Sequence, residues 1–309
     1  MLELRPYQRA SIDALFDYWA GNGGNGLLVL PTGAGKSLVM AALLKELLRD
    51  YPILRIGVVT HVRELIQQNF LELMKLWPQA PAGIFSAGLG RRDMRSQILF
   101  MGIQSVWNKT AQLGAFDILL VDEAHLIPPS TETTYGKFIE RLKDETPDMR
   151  IVGLTATPYR LGTGLLHRGQ GRIFDDVVYD ANVGDLIDHG YLSPLVSKAT
   201  VQKLDVSGVH RRGGEYIEKE LQIAVDQEWI TRAAAKEIAE FGKDRKSWIA
   251  FCTGVNHSIN VRNAVRELGI TCETVTGETP KGERDRIITA FKQGHIRCLT
   301  SVGVLSTGF

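Results

Sequence analysis

Two short stretches of the sequence carry residue types that can handle a polyphosphate and a water molecule. The first is LPTGAGKS, at residues 30–37. Gly33 and Gly35 allow consecutive backbone N–H groups to face phosphate oxygens, and the helix expected next adds its positive N-terminal dipole. Lys36 would neutralise the β and γ oxygens, and the Ser37 hydroxyl would hold Mg²⁺. This stretch predicts a site for ATP and Mg²⁺.

The phosphate-loop pattern GxxxxGK[ST] is not fully met, because its first glycine falls on Leu30. A glycine turn in front of an apolar helix is the simpler interpretation, and it accounts for Gly33 and Gly35. It leaves Lys36 and Ser37 at the helix start unexplained. The strand before the loop and the helix after it favour nucleotide binding.

The second stretch is ILLVDEAH, at residues 118–125, where an apolar strand ends on two carboxylates and a histidine. Ligands of open parallel sheets bind at this end of the strands. Asp122 can reach a Mg²⁺ ion held by Ser37, and Glu123 can orient and deprotonate the attacking water. Alone, the acid pair would be interpreted as a solvated strand end. His125 is interpreted as a hydrogen-bonding relay beside the catalytic Lys36, Asp122 and Glu123.

Elements that could position these groups recur along the chain as apolar runs separated by helical segments. One series of strand-like runs covers residues 26–30, 55–60, 97–102, 117–123 and 150–155, and a second covers 247–252, 271–276 and 296–302. Strands that alternate with helices predict parallel sheets in an α/β fold. A polar, glycine-bearing segment separates the two series. The sequence therefore predicts one domain over residues 1–194 and another over residues 195–309.

Composition excludes little beyond membrane spans. The chain has 309 residues, 44% of them hydrophobic, and a formal net charge of +1, so overall charge gives no reason to expect a nucleic-acid partner. The sequence contains no apolar signal core and no run long enough for a membrane span. Three dispersed cysteines suit buried thiols in a reducing compartment. These features predict a cytoplasmic protein.

Five segments together resemble the superfamily 2 DEAD/DEAH helicases. LRPYQ, LPTGAGKS, THVRELIQQN, VDEAH and GLTATPYR are similar, in order and spacing, to the Q motif and to motifs I, Ia, II and III of that family. Segments such as SAGLGRR, HGYLSPL and VTGETPKGERD further resemble RadD-type bacterial DNA-repair ATPases and prophage-borne helicases. The resemblance implies two RecA-like parallel-sheet domains and an ATP-dependent helicase or translocase. Its partner would be nucleic acid, DNA rather than RNA, in DNA repair or phage DNA metabolism.

The resemblance also implies roles for individual residues. Gln8 would read the adenine edge with Arg5 beside it, and Thr155 and Thr157 would couple the two lobes. The nucleotide would be bound by Thr32, Gly33, Ala34, Gly35, Lys36, Ser37 and Gly308. Nucleic-acid contacts with little sequence preference would come from Thr60, His61, Arg63, Gln104, Ser105, Thr253, Thr276 and Gly277.

The last residues, VLSTGF, resemble motif V, which in the family continues to an aspartate and later to an arginine-bearing motif VI. We therefore expect the second domain to be incomplete at its C-terminal end and ATP turnover by this chain to be weak. Two alternatives stay open. One is a motor module of a restriction or remodelling enzyme that pumps duplex DNA without unwinding it. The other is an ATP-gated nucleic-acid clamp. A metabolic phosphate-loop kinase fits less well, because nothing resembles an acceptor-binding lid.

Overall fold

In the computed structural model of the protein, the described residues are 3–128, 132–160, 164–200, 205–212 and 215–305. The chain divides into two compact units, Met1–Pro194 and Leu195–Phe309. Gly308, which the sequence predicts to bind nucleotide, lies outside the described residues.

The first unit is built on an eight-stranded sheet in the order β10-β1-β7-β6-β2-β5-β3-β4, in which every neighbouring pair is parallel except β3 and β4. β8 and β9 form a separate antiparallel hairpin. The strands are β1 (Gly26–Val29), β2 (Ile56–Thr60), β3 (Ala82–Ser86), β4 (Arg91–Arg92), β5 (Ile98–Gly102), β6 (Ile118–Asp122), β7 (Arg150–Thr155), β8 (Tyr159–Arg160), β9 (Gly164–Leu165) and β10 (Asp176–Asp180).

Helices cover both faces of this sheet, so successive strand residues are buried on opposite sides. In β1, Leu28 belongs to the apolar core that includes α1 and α2, while Leu27 and Val29 belong to the core that includes α6. Burial on both faces explains why these strands are uninterrupted apolar runs. The helices are α1 (Pro6–Ala20), α2 (Lys36–Asp50), α3 (Arg63–Leu76), α4 (Ile103–Val106), α5 (Thr110–Leu113), α6 (Thr134–Glu145) and α7 (Val183–Asp188).

The second unit contains a three-stranded parallel sheet in the order β13-β15-β14. Its cores lie on either side of β15, with Cys298 in one and Leu299 in the other. The strands of the unit are β11 (Arg211–Arg212), β12 (Glu215–Tyr216), β13 (Trp248–Phe251), β14 (Cys272–Thr276) and β15 (Cys298–Val302). The helices are α8 (Glu218–Val225), α9 (Glu228–Phe241), α10 (Val255–Glu267) and α11 (Lys281–Lys292).

The predicted α/β class with parallel sheets is confirmed, and all eight predicted strands are present within a residue or two of their expected ends. The apolar runs did not predict the other seven strands of the described residues, of which β3 and β10 have five residues each and β4, β8, β9, β11 and β12 have two each. β10 is flanked by aspartates and is only partly buried at its centre, so it lacks a strong apolar run. Among the described residues, no helix is long and apolar enough to cross a bilayer.

Candidate functional site

The loop between β1 and α2 is shaped by two glycines and held in place by α1. Gly33 and Gly35 have φ angles of 84° and 81°, a left-handed conformation that other residues rarely adopt. The carbonyl oxygen of buried Ala34 accepts hydrogen bonds of 2.8 Å from the Tyr7 hydroxyl and from the Gln8 amide. A Cβ atom at Gly35 would lie 2.6 Å from Gln8 Nε2, so only glycine fits there.

Gln8 anchors the loop from the first turn of α1. Its side chain is buried, Nε2 donates to Ala34, and Oε1 accepts from the backbone N–H of Arg5 at 2.9 Å. An amide group has two donor hydrogens and two lone pairs on its oxygen, so one of each remains. The predicted pairing of Gln8 with an adenine edge would have to use this remaining capacity.

The two acids lie where β6 ends, next to the phosphate loop. Asp122 is the last residue of β6, and Glu123 adopts a left-handed backbone with φ 52° before a short 3-10 turn. The Lys36 Nζ atom lies 3.8 Å from Glu123 Oε1, and the two side chains are only 13% and 9% exposed. The structure therefore brings the lysine of the first stretch and the acids of the second to one edge of the sheet.

Asp122 is held by a residue to which the sequence analysis assigned no role. Asn69 Nδ2 donates to Asp122 Oδ2 at 2.7 Å, and the Glu123 backbone N–H donates to Oδ1 at 3.0 Å. Burial raises the pKa of Asp122, and the Asn69 hydrogen bond opposes that rise. Asn69 lies on the buried face of α3 among Leu65 and Leu73. The sequence signal that could have identified Asn69 is its position among leucines on the apolar face of α3, where a buried amide needs a polar partner.

His125 connects the ends of β6 and β7. The Thr155 hydroxyl donates to the Thr157 carbonyl at 2.9 Å, and His125 Nδ1 lies 2.9 Å from the same hydroxyl oxygen. The direction of the hydrogen bond between His125 and Thr155 depends on which nitrogen of the imidazole carries the hydrogen. Nδ1 is also 3.4 Å from Glu123 Oε2. Burial, and after it the charge of Lys36, lowers the pKa of His125, so the ring is neutral at pH 7.

Arg160 is a second residue without a role in the sequence analysis. It ends β8, and its Nε atom is buried without a hydrogen-bond partner. Burial lowers the pKa of Arg160, and its charge contributes to lowering the pKa of His125. A partly desolvated guanidinium therefore lies within electrostatic range of the relay.

The predicted nucleic-acid contacts of the first unit lie at the same edge of the sheet but differ in access. Thr60 ends β2 and pairs with Gly102 of β5, so residues following the two strands are neighbours. Thr60 itself is buried, whereas His61, Arg63 and Gln104 are exposed. The Ser105 hydroxyl accepts from the Ala87 N–H at 2.9 Å. Partial desolvation lowers the pKa of His61, and the nearby His125 lowers it further.

The remaining predicted contacts belong to the second unit. The Thr253 hydroxyl is 3.0 Å from His257 Nδ1 and is half-buried. Thr276 is buried, and its hydroxyl oxygen accepts from the Glu278 N–H at 3.2 Å. Gly277 is exposed. Thr60 and Thr276 therefore shape their loops from inside, and contact with nucleic acid stays a prediction for the whole set.

The oxygen donors at this edge suit Mg²⁺. Ser37 is half-buried in the first turn of α2, and Asp122 supplies a carboxylate. Mg²⁺ prefers hard oxygen ligands and usually keeps several waters, using one or two protein groups together with substrate phosphates. Within the described ranges no cluster of three or more His, Cys, Asp or Glu residues could hold a metal ion by itself. The site therefore fits an ion that arrives with a nucleotide.

Comparison with known families decides the family. The sequence model of the family described as the res subunit of type III restriction enzymes matches residues 1–160. The family model of the helicase conserved C-terminal domain matches residues 231–309. The chain belongs to the superfamily 2 helicases. Membership agrees with the motif resemblance, while the finer likeness to RadD-type ATPases is not tested by these matches.

Similar helicases come from fungi, bacteria and archaea. The chain is 24% identical over 99% of its length to IRC3 of Saccharomyces cerevisiae, named as a candidate ATP-dependent helicase, and covers 45% of it. It is 26% identical over 96% of its length to the DNA 3'-5' helicase XPB of Kineococcus radiotolerans, covering 50% of that protein. It is 23% identical over 99% of its length to the DNA 3'-5' translocase XPB2 of Sulfurisphaera tokodaii and covers 72% of that protein. The chain thus spans about half the length of most of these relatives.

Solved structures of two restriction-enzyme proteins share the fold. A candidate HsdR subunit of a type I restriction enzyme from Vibrio vulnificus aligns with a TM-score of 0.68 and 20% identity, over 98% of this chain and 55% of that one. The type ISP restriction-modification enzyme LlaBIII, bound to DNA, aligns with a TM-score of 0.67 and 13% identity, over 100% of this chain and 25% of that one. At these identities the likeness shows the two-domain RecA-like architecture and nothing finer.

Proposed function

We propose that this chain is the motor part of an ATP-dependent DNA translocase or helicase. The observation that carries the proposal is the 3.8 Å approach of Lys36 Nζ to Glu123 Oε1 between the phosphate loop and the end of β6. A lysine ammonium and a carboxylate shielded from solvent, at the start of a helix, match the needs of a triphosphate and an attacking water.

Each group has a distinct part in hydrolysis. Backbone N–H groups of the loop and the Lys36 ammonium bind the phosphates, while Ser37 and Asp122 would hold Mg²⁺. The ion, when bound, neutralises charge on the phosphate oxygens. Glu123 accepts the proton of the water that attacks the terminal phosphate. The ion pair with Lys36 is exchanged for the Lys36–phosphate contact when the nucleotide enters, which frees Glu123 for that role.

The Thr155 and His125 relay supplies a route by which the acid pair is connected to the end of β7. Thr155 Oγ1 accepts from the Thr157 N–H at 3.1 Å, so the turn after β7 is tied to the same hydroxyl that His125 contacts. A change at Glu123 can reach Thr157 through three successive contacts, the 3.4 Å approach of Glu123 to His125, the hydrogen bond between His125 and Thr155, and the hydrogen bond from Thr157 to Thr155. This supports the coupling role that the family resemblance implies for both threonines.

Phosphate release by the 309-residue chain, with and without DNA, tests the proposal. We expect turnover that depends on Mg²⁺, rises with DNA and is lost in Lys36→Ala. Glu123→Gln is the matched variant, because it keeps side-chain size while removing the base, and it should bind ATP without turnover. Equal turnover by the wild-type chain and Glu123→Gln would contradict this assignment.

A second candidate, translocation along duplex DNA without unwinding, is favoured by the match to a restriction-enzyme subunit and by the translocase name of the archaeal relative. Displacement of a triplex-forming strand without separation of a forked duplex would support it. A nucleic-acid clamp predicts that Glu123→Gln retains full biological activity. Weak turnover by this chain, a role in repair or phage DNA metabolism, and a cytoplasmic location remain predictions from the sequence.

A further inference from the structure

A short segment that follows α7 packs against both ends of the candidate nucleotide site. Gly190, with φ 71°, makes a tight turn, and the backbone N–H groups of Tyr191 and Leu192 both donate to the Leu186 carbonyl, at 2.8 and 3.0 Å. The Leu192 side chain lies 3.1 Å from where a Cβ atom at Gly33 would be. The segment is therefore fixed in place next to the phosphate loop.

Tyr191 covers the side chain of Arg5. The guanidinium carbon of Arg5 lies 5.0 Å from the centre of the Tyr191 ring, and Arg5 Nη1 is 3.5 Å from the Tyr191 carbonyl oxygen. The Tyr7 ring packs against the same tyrosine at 5.3 Å, and the His189 ring is stacked on it at 6.1 Å and 9°. Arg5 thus has an aromatic support on one side.

The contacts that Arg5 makes in the described structure are with uncharged groups, and they include a 3.4 Å hydrogen bond from Nη1 to the Tyr7 hydroxyl. Arg5 is exposed, and among the described residues no carboxylate lies within ion-pair distance of it. An exposed arginine with few contacts ordinarily keeps most of its side-chain freedom, because fixing a long side chain costs conformational entropy. Here a tyrosine, far along the chain, fixes it beside Gln8, which itself anchors the phosphate loop.

We propose that Tyr191 is a positioning residue for the base of the nucleotide. Tyr191 holds the Arg5 guanidinium on one face, and the opposite face stacks on the purine ring while the triphosphate lies on the loop. Planar guanidinium groups stack readily on aromatic rings and on bases. The inference rests on the proposed binding of ATP at this loop, and it adds a base-recognition part that lies outside the helicase motifs.

The test compares a ligand that has a base with one that does not. Calorimetric affinities for ADP and for inorganic tripolyphosphate, with Mg²⁺, are measured for the wild-type chain, Tyr191→Ala and Tyr191→Phe. Cation–π contacts at exposed sites are worth about 0.5–1 kcal/mol, so ADP binding by Tyr191→Ala should weaken by roughly two- to fivefold. Tripolyphosphate binding should not change. Tyr191→Phe keeps the ring and should match the wild type for both ligands.

Non-additivity supplies the second measurement. If Tyr191 acts through Arg5, Arg5→Ala combined with Tyr191→Ala should bind ADP no more weakly than Arg5→Ala alone. An equal loss of tripolyphosphate affinity in Tyr191→Ala would overturn the proposal, because the segment would then be supporting the phosphate loop through Leu192. Unchanged ADP affinity, or additive losses, would overturn it as well. Failure of the wild-type chain to bind either ligand would instead refute the proposed function.

Discussion

Replacement of Asn69 by alanine tests whether the Asp122 carboxylate is tuned by its buried amide partner. The two side chains are 2% and 3% exposed and are joined by a 2.7 Å hydrogen bond. Burial raises the pKa of Asp122, and the bond from Asn69 is the largest influence that lowers it. Loss of this bond should therefore raise the pKa of Asp122 further above its ordinary value.

The magnitude follows from the energy of a hydrogen bond to a charged group, about 1.5–3 kcal/mol. The pKa of Asp122 should therefore rise, because the lost bond favours the ionised carboxylate; each ~1.4 kcal/mol of that loss corresponds to about a factor of ten in an equilibrium constant. A protonated Asp122 is a poor ligand for Mg²⁺. The acidic limb of the pH profile of ATP hydrolysis should therefore move to higher pH. Near that limb, half-maximal activity should require at least about tenfold more Mg²⁺ in Asn69→Ala than in the wild-type chain.

The assay is phosphate release in the presence of DNA, measured against pH and against Mg²⁺ concentration. Gln68→Ala is the matched control, because Gln68 is the preceding residue of α3 and its side chain is exposed. We expect Gln68→Ala to retain both wild-type profiles. Superimposable profiles for Asn69→Ala and the wild-type chain would refute the reasoning, since the buried bond would then have no effect on the carboxylate.

Three further predictions concern the same edge of the sheet. Because folding raises the pKa of Asp122, the wild-type chain should gain stability as pH falls through the folded-state pKa. Asp122→Asn should remove that pH dependence. It should also raise Tm at pH 7 by a few degrees, which corresponds to a stability gain on the order of 1 kcal/mol and can be measured by calorimetry without nucleotide. Thr155→Val deletes a fully buried hydroxyl and should lower the free energy of unfolding by about 1–3 kcal/mol. It should also reduce the length of DNA translocated per ATP hydrolysed, measured by triplex displacement. An unchanged length of DNA per ATP would contradict the relay. Gly35→Ala should abolish ADP binding, because the added Cβ atom would collide with Gln8. The control is Gly90→Ala, since Gly90 also has a left-handed backbone but open space around it. This variant should lose about 1 kcal/mol of stability and keep wild-type affinity for ADP.

Local patterns in the sequence were sufficient for eight of the described strands and for the positions of the phosphate loop and the acid pair at strand ends. Strands that are buried on both faces must be apolar at every position, so runs such as residues 117–123 stand out without any knowledge of their neighbours. The phosphate loop is equally local, because its glycines, Lys36 and Ser37 are consecutive or nearly so. The approach of Lys36 to Glu123 follows from parallel strands whose carboxyl ends share one edge.

Contacts between distant parts of the chain could not be predicted in the same way. Asn69 and Asp122 are 53 residues apart, and Arg5 and Tyr191 are 186 apart. Each pair depends on the packing of helices against the sheet, which a single sequence does not reveal. Local patterns also overstated the access of Thr60, because a threonine at a strand end is equally suited to bonding the turn that follows, as its hydroxyl does.

The left-handed backbone of Glu123 has a consequence for how this position varies. Most residues with a Cβ atom lose about 1–2 kcal/mol in that conformation, whereas glycine avoids the cost and asparagine reduces it through local hydrogen bonds of its side chain. Glu123 therefore occupies a backbone conformation that is unfavourable for glutamate. A library of variants sorted only for expression and heat resistance should accumulate glycine or asparagine at position 123, and, if Glu123 is the base of the proposed reaction, those variants should bind ATP without hydrolysing it.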